Sequence, residues 1–118
     1  MKKLFLFLLL LLAPLTSMGA LLNVDTDYLV TEVNQNDRTF GIALTGDNPD
    51  VTQNDVYFGD DSKCFREVHL RNGTMKEYRV TVDKFVKLLH KGDRVHVKGG
   101  RDWDGSIHGY TVRIKTYE

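Results

Sequence analysis

The chain has 118 residues with one cysteine and two prolines, and its sixteen Lys+Arg match its sixteen Asp+Glu. That length fits one domain and no more, and a lone Cys64 excludes an intramolecular disulfide framework. The neutral total excludes neither an acidic nor a basic surface, because the charges are unevenly placed along the chain.

Lys2 and Lys3 precede the apolar run 4–12, which breaks at Pro14 and gives way to Thr16-Ser17-Met18-Gly19-Ala20. Basic, apolar and small-residue regions in this order predict a secretory signal peptide over 1–19, cleaved after Gly19. Its apolar core is about half of the ~20 residues a spanning helix needs. No other segment approaches that length, so no membrane span is expected after cleavage and the product should be periplasmic or secreted. The remaining residues, 20–118, are expected to form a single domain. A domain of this size buries roughly two thirds of its unfolded surface and can stand without staples. Cys64 then reads as a small buried thiol.

Runs 28–33 and 39–44 are rich in β-formers and flank the polar cluster Asn34-Gln35-Asn36-Asp37-Arg38, which predicts an antiparallel hairpin. Phe40, Ile42 and Leu44 alternate with Gly41 and Ala43, so one face of the second strand is apolar and the other nearly bare. Small residues there admit a ligand or a neighbouring backbone, and closure of a barrel explains them equally. Region 45–62 is dominated by turn chemistry, with Val56-Tyr57-Phe58 docking briefly. Its aspartates lack the spacing, central glycine and closing glutamate of a calcium loop. Runs 65–70 and 76–82 surround Arg71-Asn72-Gly73-Thr74, whose Asn-Gly marks a tight hairpin. Tyr78, Val80 and Val82 are expected to point inward, while the poorer alternation of 65–70 suggests a bulge or an edge strand. Residues 83–92 predict the one helix, capped by Asp83, stopped by Gly92 and presenting Phe85, Leu88 and Leu89. Runs 94–98 and 107–115 form the last hairpin.

This order, together with Gly92-Asp93-Arg94-Val95-His96-Val97-Lys98-Gly99, Arg101-Asp102-Trp103-Asp104 and an Ile-rich last strand, resembles the bacterial OB-fold (BOF) family of small periplasmic proteins. The motif likeness covers 92–114 and the strand order covers 28–117. The resemblance implies an all-β, five-stranded OB-fold-like Greek-key barrel with one short helix between strands three and four. The acidic region after the second strand and the Asn-Gly hairpin depart from that family. The chain also lacks the strand-borne acidic motif of secreted nucleases built on this barrel.

Residues 20–62 carry nine acids against one base, Arg38, and residues 63–118 carry thirteen bases against seven acids. If Val95, Val97, Tyr110, Val112 and Ile114 face the core, then Arg94, His96, Lys98, Thr111, Arg113 and Lys115 share the opposite face. Cations beside aromatics hold single strands or sugars on OB barrels, through phosphate attraction and ring stacking. Alternating Arg and Lys also simply keep an exposed strand soluble. The candidate ligand-binding residues are Arg94, His96, Lys98, Arg101, Trp103 and Arg113. No nucleophile–base–orienter set and no paired carboxylates stand in a catalytic frame, so no catalytic residue is assigned and no enzyme is expected. No cofactor is implied. His96 and His108 lie on neighbouring strands without further ligands, and no metal is assigned. The expected function is an exported binding protein, monomeric or weakly associated, for an anionic or ring-bearing ligand: an oligosaccharide, an envelope glycan or nucleic acid. The alternative is an envelope-stress or accessory protein that binds a periplasmic protein through its acidic 47–61 region.

Overall fold

The computed structural model describes residues 22–117. The signal peptide expected over 1–19 lies outside them. Six strands and one helix follow in the order β1 (Leu22–Asn34), β2 (Thr39–Leu44), β3 (Asn54–His69), β4 (Met75–Val80), α1 (Val82–Leu88), β5 (Arg94–Arg101) and β6 (Ile107–Tyr117). The neighbour order is β2-β1-β5-β6-β3-β4, and an added β2–β3 pairing closes five of these strands into a barrel. All contacts are antiparallel except β3–β6, which is parallel. This is the OB-fold-like barrel expected from the sequence. Its helix falls between the third and fourth barrel strands, with the additional strand β4 inserted before it. No helix among the described residues is long and apolar enough to cross a membrane.

Two long strands make closure possible because each serves two neighbours. The first part of β1 pairs with β5 and its second part with β2, with an irregularity between Val30 and Glu32 where it bends. The start of β3 pairs with β2 and its end with β4, while β6 runs alongside both parts. Strand β3 is far longer than the local turn chemistry of 45–62 predicts. Its partners hold it on either side of an irregular stretch, β2 and β6 along residues 54–58 and β6 again from Lys63, and tertiary pairing overrides local preference there.

The core is the inward set of the alternating strands, with Val30, Ile42, Val56, Val95, Val97, Ile107 and Val112 all buried. Helix α1 closes one end. Thr81 caps it by accepting from the Lys84 N–H at 3.3 Å, and Asp83, expected as the cap, sits in the first turn instead. The helix ends at Leu88, shorter than expected, because Leu89 is already extended. It buries Phe85 and Val86, with Leu89 following, while Leu88 is partly exposed. Phe85 packs against Phe40 and Phe58, with ring centroids 6.5 and 6.0 Å away. Gly92, at φ +91°, turns the chain so that its N–H donates to the Val30 carbonyl at 2.7 Å, which ties the helix exit to β1.

The inward reading of Tyr78 is corrected. Strand β4 pairs only with β3 and lies outside the closed barrel, so Tyr78 is exposed, although Val80 and Val82 pack partly against the core. Cys64 is buried, and burial pushes its thiol up to about 12.

Candidate functional site

OB barrels commonly use the outer face of their second and third strands for ligands. Here the loop after β2 folds back over that face. Gln53 donates its backbone N–H to Ile42 and accepts through its side-chain oxygen from the Leu44 N–H. Thr52 and Thr31 share a hydroxyl hydrogen bond of 2.6 Å, and a Cβ on Gly41 would stand 2.6 Å from the Thr31 hydroxyl. Ala43 has no exposed surface although it points away from the core. The bare side of β2 therefore serves close packing rather than ligand approach, and the β5–β6 side remains open.

On that side the alternation with Val95, Val97, Val112 and Ile114 turns Arg94, His96, Lys98, Thr111, Arg113 and Lys115 outward. Tyr110 does not join the inward set. Lys98 pairs with Thr111 and Gly99 with Gly109, which leaves Tyr110 as the extra residue of a bulge and places it outside, 43% exposed. The outward rows continue across the sheet. Asp25 and Asp27 on β1 stand opposite Lys98 and His96, while Lys63, Phe65 and Glu67 on β3 stand opposite Thr111, Arg113 and Lys115. Glu77 on β4 lies beyond Glu67.

Folding thus interleaves the acidic and basic parts of the sequence. His96 faces Asp27 through Nδ1 at 2.6 Å and Asp25 through Nε2 at 2.5 Å. Lys115 reaches Asp27 at 3.0 Å. Arg113 lies 3.2 Å from Glu77, 3.7 Å from the nearly buried Glu67 and 5.0 Å over the Phe65 ring. Arg94 and Lys98 enter no ion pair among the described residues. Asp25, the partner of Lys98 in register, turns an oxygen to His96 instead.

The hydrogen bond from His96, followed by that from Lys115, holds the Asp27 carboxyl below its ordinary value of 3.8. A depressed carboxylate stabilises the fold above the unfolded value, and that contribution is lost as pH falls through the folded one. Thermal unfolding midpoints should therefore drop on acidification below 3.8, and Asp27→Asn should flatten this acid limb; equal acid limbs in the two proteins would exclude the clamp.

The turn after β5 carries the other two expected residues. Asn54, its amide oriented to suit its neighbours, donates to the Gly105 carbonyl at 2.8 Å and accepts from Arg101 at 3.1 Å. Arg101 is thereby held toward the start of β3 and away from the Lys98 row. Trp103 is 72% exposed at the turn. Asp102 and Asp104 build that turn: the Asp102 carbonyl accepts from Gly105, and the Asp104 carboxylate accepts from the Ser106 hydroxyl and N–H. Those two bonds hold the Asp104 carboxyl below its usual range.

Beneath the turn, Tyr57 donates its hydroxyl to Asp102, which pushes the phenol up to about 12. Its ring stacks on His108 at 5.0 Å, and His108 meets Tyr110 at 4.7 Å on the other side. The bulged stretch 59–62 covers His108: Ser62 donates to the Gly109 carbonyl at 2.5 Å, and a Cβ on Gly59 would come within 2.6 Å of His108 Nε2. No group of three His, Cys, Asp or Glu side chains among the described residues is arranged to hold a metal ion.

Between the start of β1 and the bulge lies a cavity of about 330 Å³, lined by Asn23, Asp25, Lys98, Gly99, Tyr110 and Thr111. Of the expected site residues, only Lys98 lines it. Arg94, His96 and Arg113 share its face, whereas Arg101 and Trp103 belong to the turn. Sequence reading missed Asp25, Asn23 and Tyr110 here. The glycines at 99, 100 and 109 are the signal that marks the bulge. The chain matches no protein-family profile, no curated protein and no solved structure.

Proposed function

We propose that this chain is an exported, non-enzymatic OB-fold binding protein, akin to the bacterial OB-fold (BOF) family, that takes an anionic or ring-bearing ligand on the outer side of the β5–β6 hairpin. Oligosaccharide, envelope glycan and nucleic acid are the ligand classes that this chemistry suits. The observation that carries the reading is a cation without an ion-pair partner among the described residues, Lys98, beside the exposed ring of Tyr110 at a cavity on the β5–β6 side, with Arg94 farther along the same face and the exposed Trp103 at the adjoining turn. Cations attract an anionic ligand at long range, and rings hold its flat faces at short range.

Trp103 is the sole tryptophan, so its fluorescence reports occupancy of this end directly. Titration with an acidic oligosaccharide and with a thymidine oligonucleotide should give saturable, salt-weakened binding to at least one. The combined change Arg94→Ala and Lys98→Ala should reduce that binding about tenfold or more, each lost charged contact being worth roughly 1 kcal/mol or above. Absence of binding to either probe, or binding indifferent to these changes, would overturn the proposal.

The acidic 47–61 region offers a second reading, a protein partner, supported by the exposed Val51 among its aspartates. Asp47 and Asp50 are already engaged there, by Gln53 and Lys91. Asp61 reaches His108 of β6 at 3.4 Å, so charge reversal at Asp55 and Asp60 that abolishes capture of a periplasmic partner, with the hairpin intact, would favour this second reading.

A further inference from the structure

We propose that the cavity beside the β6 bulge is a subsite for one acidic sugar ring, a pyranose bearing a carboxylate; this rests on the binding function proposed above and names the ligand class of the same surface. The cavity, about 330 Å³, lies at the small end of ligand sites (~300–1,000 Å³), with room for a ring or two and not for a length of polymer. Its wall is Tyr110, an aromatic face that the bulge turns outward. Its floor includes the Gly99 backbone. Lys98 brings a cation with no carboxylate partner among the described residues, while Asn23 and Thr111 bring an amide and a hydroxyl.

The register gives the site a direction. Reading across one row, Asp25, Lys98, Thr111 and Lys63 stand on successive strands β1, β5, β6 and β3. Lys98 and Lys63 are two strand spacings apart, roughly 10 Å, which two long side chains can bridge around one carboxylate over Thr111. Asp25 lies on the opposite side, where a carboxylate accepts from sugar hydroxyls and repels a second anion. A ring with its carboxylate toward Lys98 and its hydroxyls toward Asp25 and Asn23, stacked on Tyr110, satisfies every polar group of the row. A nucleic-acid strand fits less well, because the neighbouring carboxylates Asp25, Asp27, Glu67 and Glu77 interrupt the line of cations that consecutive phosphates require.

Calorimetric titration should compare a hyaluronan tetrasaccharide, which carries glucuronate, with its carboxyl-reduced form and with a thymidine oligonucleotide. The acidic glycan should bind best. Lys98→Gln should weaken it about tenfold without changing the affinity of the reduced form, consistent with one charge-assisted contact. Tyr110→Ala should weaken both glycans. Because Lys98 is exposed, its replacement should leave the thermal unfolding midpoint unchanged, separating contact loss from misfolding. Equal affinity for the acidic and reduced glycans, or an unchanged affinity in Lys98→Gln, would overturn the subsite. Oligonucleotide binding without glycan binding would overturn it too while sparing the broader binding function, and silence from all three probes would remove both.

Discussion

Gly99→Ala is expected to lower the unfolding free energy by about 3 kcal/mol or more, the upper end of what overpacking usually costs. A Cβ at this position would run into the His108 carbonyl oxygen and crowd the Gly109 Cα, both backbone atoms of β6. No side chain can rotate away, so the β5–β6 ladder itself must open where the bulge sits. The same substitution should abolish ligand binding on this side, because the bulge is what turns Tyr110 outward. At Gly109 the nearest intruding neighbour is a Val112 methyl group at 2.8 Å, and a side chain yields more easily than a carbonyl. Gly109→Ala should therefore be the milder change. Chemical denaturation of the two variants against wild type decides the matter, and a Gly99→Ala protein of wild-type stability would contradict this account of the bulge.

Phe85→Ala should cost about 3–5 kcal/mol, as large-to-small changes of buried aromatics do. Phe85 has no exposed surface and fills the barrel end against Phe40 and Phe58. Helix α1 has only seven residues, too few to persist without packing, so the loss of its plug should release the helix as well as leave a cavity. Against a typical total of about 5–15 kcal/mol, this should bring the protein close to its unfolding threshold at room temperature. Far-ultraviolet circular dichroism with denaturant midpoints would reveal it. A loss under 1 kcal/mol would mean that the barrel end does not depend on this ring.

Much of the barrel was legible because its signals are local. Strand β2 was readable from alternation, the β3–β4 turn from Asn72-Gly73, and the helix from its apolar spacing beside a polar start. Misreadings occurred where a distant strand supplied the deciding contact. The short run 56–58 became part of a long strand because β2 and β6 flank it. Tyr78 carried an inward pattern, yet β4 joined the sheet outside the closed ring. Tyr110 fell in step with core residues by counting, and one extra residue in the ladder reversed its side. A bulge shifts the phase of every residue beyond it, and alternation alone does not locate it.

The candidate site divides in the same way. Alternation was sufficient to place Arg94, His96, Lys98 and Arg113 on one outer face, since period two is a property of any strand. It was silent on what stands beside them. Asp25 and Asp27 are about seventy residues from His96 in the chain and were assigned by sequence to a separate acidic half. Their strand pairs with β5, and Glu67 and Glu77 reach Arg113 from the other flank.

By itself the sequence determined the richness in strands, the outward direction of the hairpin's charges and the absence of an intramolecular disulfide, all of which follow from composition and short-range periodicity. Only the tertiary structure decided which charges are neutralised. Coulomb attraction between side chains acts over a few ångströms in space and takes no account of separation along the chain. An acidic half and a basic half therefore became one interleaved surface. Among the described residues Lys98 has no ion-pair partner on it, while the carboxylate opposite it in register, Asp25, engages His96.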